Sequence, residues 1–479
     1  MPQITNHSNY NITIDDVVRV RDFLEGEPAV KRKGTQYLPD PSTANSNEHG
    51  QQARYNAYLM GGEVEDFPAR TLETMIGKLS RNPVNIVIPK QLEYLVSDSD
   101  GNGLTIQEAV EIAAENMLAV NYHIILCEYT KLPNGANDLS KADRQELIQR
   151  AKFSHYTREQ LRDWSYDKIN DVLQPNYFKL VTECSGIDEN GKHTETKQLE
   201  LILDKNGYRQ NITIWKNHGK GDHVQSEETI IPLMNGNRIP YIPVEIVTAD
   251  RSIPGRLPTK MGYIAQLVYK AHHRYLVSAD LKEKLRVLQD TSVSSGWTEA
   301  KKEEFDAINN RKFFAFGTLV HNFLPEGIKF NILKMQADSD GHFRYLDENA
   351  KQVQAIGGSF NLSDNNVTAT EIVDRASDEM AALNLVSNNI DCAFKRLFES
   401  AAGFENVPID DTFKFSTNKE FFDTKMRPDE VKAVRDTYLD GLITKKMAIQ
   451  KLIDGGFTRG NISDILSEIE QDQPFPVAS

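Results

Sequence analysis

FRYLDENAKQVQAIGG (343–358) runs into the polar stretch SFNLSDNNV (359–367) and then into TATEIVDRASDEMAALNLVSNNIDCAFKRLFESAAG (368–403). The first segment predicts a short helix that stops at Gly357-Gly358, and the third predicts a very long one. Thr368 with Glu371 reads as a capping box, because each side chain can satisfy a free amide at the helix start, and Val367 with Ile372 reads as the matching hydrophobic staple. Apolar residues then recur at Ile372, Ala376, Met380, Leu383, Val386, Ile390, Phe394, Leu397 and Ala401, a mean step of about 3.6 residues. Gly403 is the expected left-handed stop. About 34 residues at about 1.5 Å each give a rod of roughly 50 Å. The opposite face carries Asp374, Arg375, Asp378, Asn388, Asp391 and Lys395.

An ordinary core helix explains such a stripe. The Asn-rich loop just ahead of it adds a second reading: a polar loop offered into a shared bore and braced by helices on both sides, as a ring-shaped channel subunit requires.

Working toward the N-terminus, MGYIAQLVYKAHHRYLVSADLKEKL past Pro258 predicts a helix of about 25 residues with apolar positions at Met261, Ile264, Val268, Tyr275 and Ala279. Between it and the opening stretch lies a compact piece: a short helix after Trp297, strands FFAFGTLV and IKFNILKM, and a turn at Pro325-Glu326-Gly327. Residues 1 to about 70 read as irregular, with a short helix near Ile14–Leu24 and an exposed arm, KRKGTQYLPDPSTANSNEHG. RYNAYLMGG and PARTLETMIGKLSRNPVNIVIP give two helices, and a third from Thr105 to about Ala119 leads into the strand NYHIILCEY. Lys141–Val172 is charged and is expected to be helical. YFKLVTEC, TKQLELILD, YRQNITIWK and YIPVEIVTA predict four strands, with turns at Glu189-Asn190-Gly191 and Lys205-Asn206-Gly207. Together these describe an α+β fold with an antiparallel sheet. Beyond the long helix, the strand FKFSTNKEFF precedes two or three small helices.

At 479 residues, 39% hydrophobic and 26% charged, the composition is that of a folded globular protein. No apolar run is long enough to span a membrane, and the first residues lack a basic-then-apolar leader, which predicts a protein that stays in the cytoplasm of the cell that makes it. Cys127, Cys184 and Cys392 are odd in number and far apart, which argues against a disulfide framework or a zinc site; at least two are expected to be buried thiols. The net charge of −14 disfavours tight phosphate binding but suits a surface past which DNA slides.

DSDGNGLTIQE (98–108) sets Asp98, Asp100, Asn102 and Gly103 at calcium-loop positions, but Ala109 occupies the place of the bidentate glutamate. The plainer reading is a polar turn that caps the following helix, and Asp338–Gly341 reads as a second turn. His272 and His273 are adjacent, so on a helix they diverge by about 100° and are ill placed to share a metal. No nucleotide, hydrolase or metalloenzyme motif stands out, so no cofactor, no metal and no catalytic residue is expected.

RYNAYLMGGEVEDFPARTLETMIGKLSRNPVNIVIP, IAQLVYKAHHRYLVSADLKEKL and FRYLDENAKQVQAIGG with its Thr-Ala-Thr-Glu helix, in that order and spacing, resemble the portal proteins of tailed bacteriophages, in the branch once catalogued as a family of unknown function. Ser278-Ala279-Asp280 keeps that branch's pattern and His273-Arg274-Tyr275 matches it more loosely. The resemblance implies a portal fold: an α/β wing (1–257), a first stem helix (258–287), a small α/β clip (288–338), a second stem helix (339–358), a tunnel loop (359–367), a long kinked helix with a wing strand (368–424) and a helical crown (425–479). It implies a non-enzymatic homododecameric ring at one capsid vertex of the virion, assembled in the host cytoplasm. Double-stranded DNA would pass through the bore during packaging and ejection, and the terminase motor, capsid or scaffold protein and head–tail adaptor would dock on the ring. Ser359, Phe360, Asn361, Ser363, Asn365 and Asn366 would face the channel; Lys270, Arg274, Lys282, Lys284 and Arg286 would form a basic stem face; and Trp297, on a loop, would anchor a docking partner. From the residues alone, another head–tail assembly protein and an enzyme with a dispersed active site also stay open.

Overall fold

In chain order the N-terminal helices are α1 (Ser8–Glu25), α2 (Glu27–Arg32), α3 (Gln51–Gly61) and α4 (Phe67–Leu79), then β1 (Asn85–Val87), α5 (Tyr94–Ser97) and α6 (Ile106–Val120). The computed structural model describes residues 5–41, 51–129, 150–169, 171–188, 191–217, 223–250, 257–287, 292–295, 298–309, 323, 325–326, 329–331, 339–355, 369–410, 412–421, 428–454 and 465. The strands that follow α6 are β2 (Tyr122–Tyr129), β3 (Ala151–Tyr156), β4 (Leu161–Ile169), β5 (Val172–Asp188), β6 (Gly191–Asp204), β7 (Gly207–Asn217), β8 (His223–Ile230), β9 (Leu233–Met234), β10 (Asn237–Arg238) and β11 (Val244–Thr248). The C-terminal part holds α7 (Tyr263–Val287), β12 (Ser292–Ser295), α8 (Glu299–Asn309), β13 (Lys329–Asn331), α9 (Ser339–Ala355), α10 (Ala369–Glu405), β14 (Lys414–Ser416), α11 (Pro428–Leu439) and α12 (Lys445–Asp454). Among the described residues the fold is mixed α+β, with twelve helices and several antiparallel sheets.

The core forms around the three-stranded antiparallel sheet β11–β2–β3. Tyr122–Cys127 is an unbroken buried run because α6 and α10 both pack on this sheet, so neither pleat face meets water. Thr105 and Glu108 make the capping box that starts α6, and Asn121 in the left-handed region (φ +79°) ends it and turns the chain straight into β2. The second sheet is a meander in the order β4–β5–β6–β7–β8. Gly207, at φ +98°, supplies the tight β6–β7 turn, where the Asp204 carboxylate also accepts from the Asn206 amide.

Long helix α10 runs unbroken for 37 residues. Leu383, Val386, Ile390, Phe394, Leu397 and Ala401, the second half of the expected stripe, are buried in the chain's own core. Phe394 stacks on Phe415 of β14 with ring centroids 5.1 Å apart, and Phe153 of β3 meets Phe398 edge-on at 5.3 Å. Each such phenyl ring contributes about 1.5–3 kcal/mol through burial. The side chains of Ile372, Ala376 and Met380, and Thr368 itself, lie outside the described residues, as do those of Asp374, Arg375 and Asp378.

Several expectations are corrected. Gly403 does not stop α10: it lies inside the helix, where the Met234 side chain occupies the space a β-carbon would need. The stop is Asn406 (φ +54°), with the Val407 amide donating to the Ala402 carbonyl. Asp391 is not on the solvent face; it is buried and accepts from the Thr417 amide and hydroxyl at 2.7 and 2.8 Å. The described part of 141–172 is β3 and β4 rather than helix, because Ala151 and Phe153 alternate with Lys152 and Ser154 at the strand period. YIPVEIVTA supplies β11 of the three-stranded sheet, and HVQSEETI, not anticipated, is edge strand β8. The supposed exposed arm is anchored: Tyr37 and Leu38 are buried, and the Tyr37 hydroxyl donates to Asp22 at 2.5 Å. Residues 339–341 begin α9 rather than forming a turn. Cys127 alone is a buried thiol; Cys184, on the far end of the β5–β6 hairpin, and Cys392, on the outer side of α10, are exposed.

Candidate functional site: a junction of three sequence segments

The three stretches singled out in the sequence meet at α7. Tyr58, on α3, donates its hydroxyl to Asp280 at 2.6 Å across a separation of 222 residues. The Glu63 amide donates to the Ser278 hydroxyl at 2.9 Å, and Lys282 ion-pairs with Glu63 at 2.6 Å. Between these contacts Gly62 lies so close to Tyr275 that any side chain there would overlap the ring. A glycine is needed here for approach, not for its φ.

Arg274 is the hub. Its guanidinium grips both carboxylate oxygens of Glu65, with Nε and Nη2 donating at 2.7–2.9 Å, and Nη1 donates to the Leu346 carbonyl of α9 at 2.6 Å. The residue is 7% exposed, so one buried side chain ties the α3–α4 connection to two helices of the C-terminal half. Such a forked geometry is specific to arginine. One turn earlier, Lys270 donates to Gln352 of α9 at 2.6 Å. His272 contacts the Tyr37 carbonyl at 2.8 Å within a cluster with Phe23 and Tyr37, while His273 is exposed.

These contacts change the reading of the basic series. Arg274 is a buried structural tie, and Lys270 and Lys282 spend hydrogen bonds within the chain. Lys284 and Arg286 lie in α7, but their side chains are outside the described residues. Ser359, Phe360, Asn361, Ser363, Asn365, Asn366 and Trp297 also lie outside them.

The sequence reading missed a second arginine. Arg158, 3% exposed, donates to the carbonyls of Val120, Pro258, Thr259 and Lys260, and lies over the Tyr122 ring at 4.8 Å. It holds the end of α6 to the connection that enters α7. Gly262 completes this join, packed against the Met117 and Leu118 carbonyls with no room for a β-carbon. Arg158 sits in a segment whose sequence reads as a charged helix, it carries no motif, and the carbonyls it reaches are backbone atoms, so no spacing rule could have found it.

DSDGNGLTIQE is a turn. Asp98 accepts from the Gly103 amide, Asp100 from the Asn102 and Leu104 amides, and Glu108 from Thr105. Burial alone would raise the Asp100 pKa, but the Asn102 and backbone donors outweigh it and hold the carboxyl below its usual range. Among the described residues no three His, Cys, Asp or Glu side chains are grouped to hold a metal ion, and no helix is long and apolar enough to cross a membrane. One surface groove, of about 600 Å³, lies between Tyr129, Lys152, Lys197, Ile231 and Phe404. Another, of about 510 Å³, is lined by Leu24, Leu72, Ile76, Glu73, Glu111 and Glu115. No protein-family model matches the chain, and no curated protein does.

Proposed function

We propose that the chain is the subunit of a portal-type ring, a conduit through which double-stranded DNA enters and leaves a capsid. The observation that carries the reading is the meeting of the three resembling segments at one junction. Tyr58, Gly62, Glu63 and Glu65 from the first touch Arg274, Tyr275, Ser278 and Asp280 from the second, and Leu346 from the third accepts from Arg274. The contacts support the reading by joining the three resembling segments in one part of the fold; the resemblance itself rests on their order and spacing in the sequence.

The portal layout is part of the same proposal. In it the body built from α1–α6 and β2–β11 is the wing, α7 and α9 are the two stem helices, and the piece containing β12, α8 and β13 is the clip. Residues 359–367 are the tunnel loop, α10 is the long helix behind it, and α11 with α12 belongs to the crown. The antiparallel β12–β13 pair, which lies between α7 and α9 in chain order, supports a small unit of its own there. An acidic chain suits passage without adhesion, since a net charge of −14 repels phosphates. The ring catalyses nothing; its partners are further copies of itself, the packaging motor, the capsid or scaffold protein, the head–tail adaptor and the DNA.

Packaging tests the function. Heads assembled with the chain should take up DNA in a motor-driven reaction, and heads assembled without it should not; equal uptake by both overturns the proposal. Removing residues 361–366 should leave heads intact and change how much DNA they retain.

A further inference from the structure

The hairpin α11–α12 presents an apolar patch that its own fold leaves open. The two helices close on each other through Val434, Ala448 and Ile449, all buried. Gly441 (φ +73°) forms the turn, and the Leu442 amide donates to the Thr437 carbonyl, a pattern that fixes the direction of the chain leaving α11. In that motif the residue after the glycine commonly packs back on the helix, yet Leu442 is 75% exposed. Leu439 beside it is 69% exposed and Met447 52% exposed. So short a hairpin buries little surface, and these three side chains are an unmet demand for burial.

Charge indicates what covers them. The whole chain carries −14, so two copies repel where their average surfaces meet. Residues 428–454 are different: five basic and five acidic side chains leave them neutral. Asp440 lies beside Leu439, and Lys445 and Lys446 lie beside Met447, so the patch has a rim of both signs, complementary to itself. We infer that Leu439, Leu442 and Met447 form a contact surface between this hairpin and the same hairpin of a second copy. A self-complementary patch joins copies in pairs, so this contact links two copies and leaves the closing of the proposed ring to other surfaces.

The test uses the full chain. Mass photometry would compare the wild type with Leu439→Asp/Leu442→Asp, and a short bis-maleimide would be applied to Leu442→Cys in a Cys184→Ser/Cys392→Ser background. Association at least tenfold weaker in the aspartate variant, with covalent linkage between copies through position 442, is the expected result. Unchanged association with no linkage overturns the contact and leaves a ring held elsewhere. Linkage at 442 in a wild type that stops at a dimer supports the contact and contradicts the ring. A position 442 that maleimide cannot reach in the separated monomer overturns the contact, since the chain's own remaining residues would then cover the patch.

Discussion

Arg274 joins the two halves of the chain, and it does so with a geometry that lysine cannot copy. Removing it strands the Glu65 carboxylate and the Leu346 carbonyl, both at a largely buried site. Arg274→Met should cost about 2–4 kcal/mol in urea unfolding, discounted from the fully buried case because Glu65 retains some solvent contact. Arg274→Lys should recover only a minor part of that loss, because a single ammonium cannot span both carboxylate oxygens and the carbonyl. Adding Glu65→Leu to Arg274→Met should cost less than the two changes separately. Additive costs would show that the pair is not coupled. At the Asp98–Glu108 turn the carboxylates already accept from the backbone, so a chelator should leave the melting temperature unchanged. A drop of several degrees that calcium alone reverses would restore the ion-binding reading of that loop.

At the scale of elements, the second half of α10 is a core helix. Ile390→Asp buries a carboxylate among Phe394, Phe415 and their neighbours, and should abolish soluble protein rather than selectively weaken assembly. Soluble, folded Ile390→Asp would contradict this packing. The β2–β3 pair makes a second prediction. His123 and His155 stack, with Nε2 of one and Nδ1 of the other 3.0 Å apart. Burial, then His155 and Arg21, push the His123 pKa well below its usual value, and burial brings His155 down to about 4 despite the opposing Asp100 carboxylate. Both are therefore neutral in the folded state at neutral pH. The stability linked to that neutrality is fully present above about 6.5, the unfolded value, and is lost as pH falls from there toward the folded values. The loss should be on the order of 1 kcal/mol per pH unit for each ring. Melting temperature should fall between pH 6.5 and 5, and His155→Gln should flatten that fall; an equal slope in the variant would exclude the pair as its source.

What the sequence made legible follows from which signals are local. The start of a helix near Thr105 after a polar turn, and the periodicity of α7 and of Leu383–Ala401, act within a few turns and match the structure, whereas the capping box read at Thr368 and Glu371 lies outside the described residues. Gly403 misled because a glycine that permits close approach looks, in sequence, like one that ends a helix. Asp391 misled because a charged residue on a helix reads as solvated until a distant strand brings Thr417 to it. The Lys141–Val172 segment misled because its outward-facing strand positions are charged, which imitates a solvated helix. Of the junction, Ser278, Asp280 and Arg274 were visible as residues, but their partners 200 or so positions away became visible only through folding.

At the scale of the whole molecule, the proposal is a closed ring of copies around a passage for DNA, and the net charge of −14 is the property of the chain that suits such a passage. That claim is tested most directly by negative-stain imaging of the purified full-length protein. The account predicts closed rings of uniform size with a stain-filled central hole. A homogeneous population of single chains or dimers, with no ring at any concentration, would contradict it.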